Sequence, residues 1–189
     1  MSTIKSYIYV KNHIPKEVCE ELINECNKNG IWKKHTWNNY ASGENSSEPT
    51  KELDVMSCTK EQQAKITPYL VKALNDYQEK NSKPGEKTHP GWLTKFSPIR
   101  FNRYNVGTMM REHYDHIHSI FDGNMKGVPL VSMVANLNED YEGSEFYCRG
   151  EKIELKTGDI LLFPSNFMYP HEVKEITEGV RHSFVSWAF

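Results

Sequence analysis

Cysteine, net charge and long apolar runs are what this chain has little of. Four cysteines occur in 189 residues, at Cys19, Cys26, Cys58 and Cys148, and no two form a Cys-x-x-Cys pair. That spacing excludes a zinc-ribbon pattern and argues for a reducing interior over a disulfide framework. Cys19 and Cys26 can share one helix face as small apolar residues. The formal net charge is -2, so no global field favours a polyanionic partner. Lys33-Lys34 reads as a solvated face. No stretch approaches the apolar length needed to span a bilayer. Met1-Ser2-Thr3-Ile4-Lys5 lacks the apolar run of a signal peptide, so the expectation is a cytoplasmic protein with no membrane partner. There is no internal repeat and no long low-complexity tract.

What remains is ordinary for a globular chain, with 25% charged and 38% hydrophobic residues. A single domain over 1–189 is expected, with residues 1–98 as helical support and loops and 99–189 as the core. Tyr7-Ile8-Tyr9-Val10 is a short β-prone run. A helix is expected from Pro15, with Glu17 in its first turn, Val18, Leu22 and Cys26 on its apolar face, and Asn29-Gly30 as its stop. A second helix is expected with Thr67 as N-cap and Pro68 first, carrying Leu70, Ala73, Leu74 and Tyr77 inward. A preceding helical turn starts at Thr59, with Gln62 closing a capping box.

From Ile99 the pattern turns to short β-prone runs punctuated by Gly, Pro and Asn. They are Ile99 to Val106, Leu130 to Leu137, Gly143 to Cys148, Lys152 to Leu155, Asp159 to Phe163, His171 to Ile176 and Val180 to Phe189. The fold class is mainly β with N-terminal helices, a jelly roll or barrel with the helices covering the outer face of one sheet. Two polar stretches, Asn38 to Thr50 and Asn81 to Trp92, are long loops and candidates for covering a substrate.

His113-Tyr114-Asp115, the distant His171, and Arg181 ten residues further carry the chemistry. Two imidazoles and one carboxylate are the donor set that holds Fe(II) on one face and leaves positions for an organic acid and dioxygen. A closed four-ligand zinc site offers no such positions. In a strand, His113 and Asp115 would point the same way, with His171 arriving from another strand. His116 and His118 crowd the same segment; neither is assigned to the metal, although His118 is an alternative if the chain bends.

These residues sit in a set of blocks: Tyr104-Asn105-Val106-Gly107 before His113-Tyr114-Asp115; Leu137-Asn138 before Glu142-Gly143-Ser144-Glu145-Phe146; Gly158 to Ser165; Pro170-His171-Glu172-Val173; and Arg181-His182-Ser183. As a set they resemble the Fe(II)/2-oxoglutarate dioxygenases, in the prolyl 4-hydroxylase-like branch, over Arg100 to Phe189. The resemblance implies a double-stranded β-helix, a cupin-like jelly roll with iron near one mouth. It implies Fe(II), 2-oxoglutarate and O2 as cofactor and cosubstrates, with ascorbate (vitamin C) as a possible reductant. His113, Asp115 and His171 would hold the metal. Arg181 would bind the far carboxylate of 2-oxoglutarate, with Tyr104, Ser183 and Asn136 around the same molecule. The reaction implied is hydroxylation, of a prolyl residue in a peptide or protein or of a small molecule, with release of succinate and CO2. The chain departs from the branch in having Gly143-Ser144 in place of Gly-Gly, Arg181 where many collagen-type members have Lys, and Met110 where an aromatic is common.

Two rival readings stand beside this one. Asn102-Arg103-Tyr104 also resembles the oxidative demethylases of alkylated nucleic acid, but Trp187 occupies the place six residues after Arg181 and no phosphate footprint is present. A non-enzymatic cupin-like binding module would need the metal triad to be vestigial.

Overall fold

The structure, a computed structural model, describes residues 4–39, 44–82, 93, 95–115 and 128–189. His116, His118 and most of the Asn81 to Trp92 loop lie outside the described residues. A 3-10 turn, Ile4–Tyr7, leads into β1 (Tyr9–Asn12) and α1 (Lys16–Asn29). The strands β2 (Lys33–Lys34), β3 (Trp37–Asn39), β4 (Glu44–Ser46) and β5 (Asp54–Ser57) precede α2 (Lys60–Asn81). Then come β6 (Arg100–Tyr104), β7 (Met110–His113), β8 (Val131–Asn136), β9 (Tyr141–Gly143) and β10 (Phe146–Cys148). β11 (Glu151–Ile153), β12 (Asp159–Pro164), β13 (His171–Val173), β14 (Ile176–Gly179) and β15 (Arg181–Ala188) complete the order.

A seven-stranded sheet has the order β1-β12-β8-β15-β6-β5-β2, and a four-stranded sheet has the order β11-β10-β13-β7. Two two-stranded pairs, β14-β9 and β3-β4, stand beside them. All pairings among the named strands are antiparallel. The large sheet is covered on both faces, which is why β8 is buried at every residue, its polar Ser132 and Asn136 included. On one face Met133, Ala135, Ile160, Leu162, Phe101 and Phe184 meet the helices through Leu22, Cys26, Ile66, Leu70 and Leu74. On the other, Tyr104, Val134, Leu161 and Phe163 meet the small sheet through Met110, Phe146, Cys148 and Val173. Burial of such side chains contributes about 1.5–3 kcal/mol each. The helices thus brace one side of the large sheet and leave the space between the two sheets for a site.

Three sequence expectations need correction. Thr67 is not an N-cap: α2 is continuous through Pro68, and Thr59 caps it with both halves of the capping box formed. An interior proline costs about 3 kcal/mol, offset here by the buried face Ile66, Leu70, Ala73, Leu74 and Tyr77, which spans the proline. The Thr67 hydroxyl turns back instead and donates to the Gln63 carbonyl at 2.7 Å. Second, residues before 99 are more than support: β1, β2 and β5 are strands of the large sheet. Third, β7 ends at His113, so Asp115 lies just past the strand. The alternation rule therefore does not set its direction.

His182, on the helix side of β15, is 7% exposed, and among the described residues neither ring nitrogen has a hydrogen-bond partner. Burial pushes its pKa from 6.5 down to about 4, with the Arg103 charge adding to the effect. Burial also lowers His13. Between those values the unfolded chain binds more protons than the folded one, so stability is full above about pH 6.5 and falls with acid. Urea unfolding of the metal-free protein should show a loss of about 2 kcal/mol from His182 alone between pH 7.5 and pH 5. His182→Leu should flatten that slope, and an unchanged slope would exclude His182 as its source.

Candidate metal centre

The small sheet brings two imidazoles together by register. β13 runs antiparallel to β7 with His171 directly opposite His113, and the ring centroids lie 4.3 Å apart. Asp115 reaches the same point from the segment after β7. The three offer one ligand atom each, and these atoms lie within 4.8 Å of one another. His113 Nε2 is 3.9 Å from Asp115 Oδ1, and His171 Nε2 is 3.9 Å from Asp115 Oδ2. Among the described residues no other group of three such donors is found.

Each ligand is held by a second contact. The Nδ1 of His113 is 2.7 Å from the Arg111 carbonyl, and that of His171 is 3.1 Å from the Tyr169 carbonyl. A carbonyl only accepts, so each Nδ1 carries the proton and each Nε2 presents its lone pair. Ser132 of β8 donates its hydroxyl to Asp115, and the Trp187 side chain lies near enough to help lower the pKa of that carboxylate. Phe146 stacks on His171 at 5.8 Å, Phe163 meets it edge-on at 4.8 Å, and Trp37 meets His113 edge-on at 5.4 Å.

The charges suit a divalent cation. Burial, with the neighbouring His171 imidazole adding to it, drives the His113 pKa down to about 4 against the pull of Asp115. Burial alone would raise the Asp115 carboxyl, but the two imidazoles, Ser132 and Trp187 outweigh it and hold the carboxyl below its usual range. Two imidazoles and one carboxylate, aimed at one point and braced from behind, fit Fe(II) or a similar first-row ion.

The pocket between the sheets runs from this cluster past Met110, Val134 and Phe146 to Arg181. Arg181 is 1% exposed, and among the described residues it has no carboxylate partner. Its Nε donates to Asn136 Oδ1 at 3.0 Å and its Nη1 to the Ser144 carbonyl at 3.3 Å. Its guanidinium lies over the rings of Tyr104, 5.3 Å away, and Tyr141, 6.0 Å away. Tyr104 is directly opposite Arg181 in register and lines the pocket.

Asn136 and Ser183 are placed differently. They face each other across β8 and β15 and are buried, but neither lines the pocket. Asn136 spends its amide nitrogen on the Asn138 carbonyl at 2.7 Å and its oxygen on Arg181, so it orients the arginine from behind. Ser132 and Arg100 escaped the sequence reading. A lone serine gives no signal, whereas Arg100 could have been found by stepping back from Tyr104 in twos along β6. Ser144 supplies its carbonyl to Arg181 from a left-handed backbone, φ 56°, beside Gly143 at φ 75°. The Ser144 hydroxyl is buried and has no partner among the described residues.

Comparison with known proteins agrees with this arrangement. Residues 99–189 match the model of the 2OG-Fe(II) oxygenase superfamily. A PKHD-type hydroxylase of Prochlorococcus marinus (strain NATL1A) is 38% identical over 93 residues, covering 47% of this chain and 40% of that protein. The matched stretch is thus well under half the length of that relative. Among solved structures, a Trichoplax adhaerens prolyl hydroxylase, in complex with a peptide fragment of the hypoxia inducible factor oxygen degradation domain, superposes with a TM-score of 0.69 at 16% identity. The superposition covers 97% of this chain and 84% of that one. The viral collagen prolyl hydroxylase of Paramecium Bursaria Chlorella virus-1 gives a TM-score of 0.63 at 17% identity, over 96% and 94% of the two chains. At these identities the structural likeness concerns the fold.

Two substitutions test the support around the site. Ser132→Ala should weaken Mn(II) binding, followed by calorimetry, by about 10-fold or more through the loosened carboxylate. Unchanged affinity would mean that Asp115 needs no brace. Ser144→Gly should stabilise the protein by about 1 kcal/mol, seen as a higher urea midpoint at constant slope, because a side chain in the left-handed region costs about that much. A lower midpoint would show that the Ser144 hydroxyl has a use.

Proposed function

We propose, on the premise that residues 99–189 are a 2OG-Fe(II) oxygenase superfamily domain, that this protein is an Fe(II)- and 2-oxoglutarate-dependent dioxygenase. Its reading as prolyl 4-hydroxylase-like follows the named relatives and the sequence blocks, and the substrate class is a prolyl residue of a peptide or protein. The whole described chain acts as one unit on this reading. The two facing sheets form a double-stranded β-helix, and α1 and α2 are its outer brace. Four free cysteines, Cys19, Cys26, Cys58 and Cys148, suit a reducing cytoplasm. No helix among the described residues is long and apolar enough to cross a membrane.

One observation carries the proposal: a buried arginine with no carboxylate partner among the described residues shares a pocket with a two-histidine, one-carboxylate cluster. A buried cation is costly unless paired, so Arg181 calls for an anion from outside. A dicarboxylate with one end at the metal and the other at Arg181 meets that demand. His113, Asp115 and His171 hold the metal, and Fe(II) when bound supplies the dioxygen activation that couples 2-oxoglutarate decarboxylation to hydroxylation of the substrate. Arg181 fixes the far carboxylate through charge-assisted hydrogen bonds, and Asn136 keeps the guanidinium in plane. Tyr104 supports the guanidinium face. Met110, Val134 and Phe146 keep the pocket wall apolar and exclude water. Ascorbate as reductant belongs to the same proposal. The β3–β4 pair, whose Trp37 touches His113, overlaps the Asn38 to Thr50 stretch that is a candidate for covering the substrate.

Anaerobic addition of Fe(II) and 2-oxoglutarate should produce a visible charge-transfer band. In air, prolyl peptides should gain one oxygen by mass with stoichiometric succinate. No band and no succinate would favour a binding module. Arg181→Gln should weaken 2-oxoglutarate binding to the Mn(II)-loaded protein by about 100-fold, the loss expected when one partner of a buried charge pair is removed. Its Mn(II) affinity should stay within a few-fold, and equal losses of both would make Arg181 structural.

A further inference from the structure

The metal pocket holds a second arginine that neither the metal nor the distal carboxylate uses. Arg100, at the start of β6, points to the same side as Asn102 and Tyr104 and lines the pocket with them. In register it faces Val185, whereas Tyr104 faces Arg181. Four residues of strand separate the two levels, roughly 13 Å. Asp115 is tied to Ser132 and lies near Trp187, and these two face each other across β8 and β15. The metal cluster therefore lies toward the Arg100 level, with Arg181 at the deep end.

Arg100 is poorly neutralised. Its Nε donates to Asn102 Oδ1 at 3.1 Å, and its guanidinium lies 5.8 Å from the Trp187 ring. Among the described residues it makes no ion pair, and its Nη atoms have no hydrogen-bond partner. The nearby carboxylate of Asp115 is committed to the metal cluster. Burial disfavours the Arg100 charge, against the pull of Tyr104 and Asp115. An adjoining open groove is lined by Lys33, Val55 and Ser57 on the β5–β2 side, and among the described residues Arg100 alone lines both the groove and the pocket. The carboxylate in that groove, Glu25, is paired with Lys65 at 2.7 Å.

We infer that Arg100 is a specificity-determining residue that binds a carboxylate of the substrate beside the metal, so that the preferred substrate carries an acid group close to its reacting carbon. The inference rests on the dioxygenase reading above and deepens it. A planar guanidinium whose Nη donors are unpaired among the described residues, at the junction of pocket and groove, matches a carboxylate bidentately. Lys33 further along the groove adds charge of the same sign. The acid group is either the α-carboxylate of a free amino acid or an acidic side chain next to the target residue in a peptide.

Calorimetry on the intact Mn(II)-loaded protein, with and without 2-oxoglutarate, separates these sources. The probes are L-proline against L-prolinamide, and N-acetylated, C-amidated Glu-Pro-Ala against Gln-Pro-Ala. In at least one pair the acid should bind tenfold or more tightly than its neutral partner; the first pair marks a free amino acid, the second an acidic peptide. Arg100→Gln should bring that ratio to about one while 2-oxoglutarate affinity stays within twofold, and Arg100→Lys should keep part of the preference. No preference in either pair overturns the inference, as does a preference that survives Arg100→Gln. A parallel fall in 2-oxoglutarate affinity in Arg100→Gln would also overturn it by assigning Arg100 to the cosubstrate. The dioxygenase reading fails separately, if the wild-type protein binds no 2-oxoglutarate at all.

Discussion

The antiparallel register that sets His171 opposite His113 is the constraint on which the centre depends. A slip of one residue along β13 would carry the imidazole to the other face of the small sheet. That register is anchored on both sides: β10 pairs β13 with Cys148 opposite His171, and Val173 fills the core between the sheets. The ligands on the small sheet are then matched by Ser132 and Trp187 on the large one, which meet Asp115 across the gap. The centre is thus a bridge between two sheets, and its geometry is only as rigid as their packing.

Electrostatics divides the pocket into distinct tasks. The metal cluster combines a carboxylate kept ionised with an imidazole kept neutral, both against or by burial. Arg181, deep in the same space, is oriented by the Asn136 oxygen and the Ser144 carbonyl and is left without a counter-charge among the described residues. Ser144 occupies a backbone region that glycine would enter at less cost, and its carbonyl is thereby aimed at the arginine. Local strain and guanidinium placement are therefore linked in one residue.

Much of this was legible in the sequence, because donor chemistry survives without coordinates. His113, Asp115, His171 and Arg181 stand out by residue type and spacing, and the β-prone runs after Ile99 match strands of the two sheets. Three kinds of information did not survive. Register is invisible in one dimension, so the direct His113 to His171 pairing and the place of Asn136 and Ser183 behind Arg181, outside the pocket lining, needed the fold. Tertiary packing overrode a local rule at Pro68, where a buried stripe carried the helix through a residue that usually ends one. Short strands such as Lys33–Lys34 have no periodicity to detect, so their place in the large sheet could not be foreseen.

The order of strands in the large sheet bears on how the chain reaches this state. β15, residues 181–188, sits at its centre, between β8 and β6, while β1, residues 9–12, closes the edge against β12, residues 159–164. Nearly every pairing in that sheet joins segments distant in sequence, which makes for a high contact order and slow folding. On the ribosome, the helices and early strands must wait, with their apolar faces unsheltered, until the central strand emerges. Prolonged exposure of apolar surface during synthesis, more than fragility of the finished molecule, is the vulnerability this topology builds in.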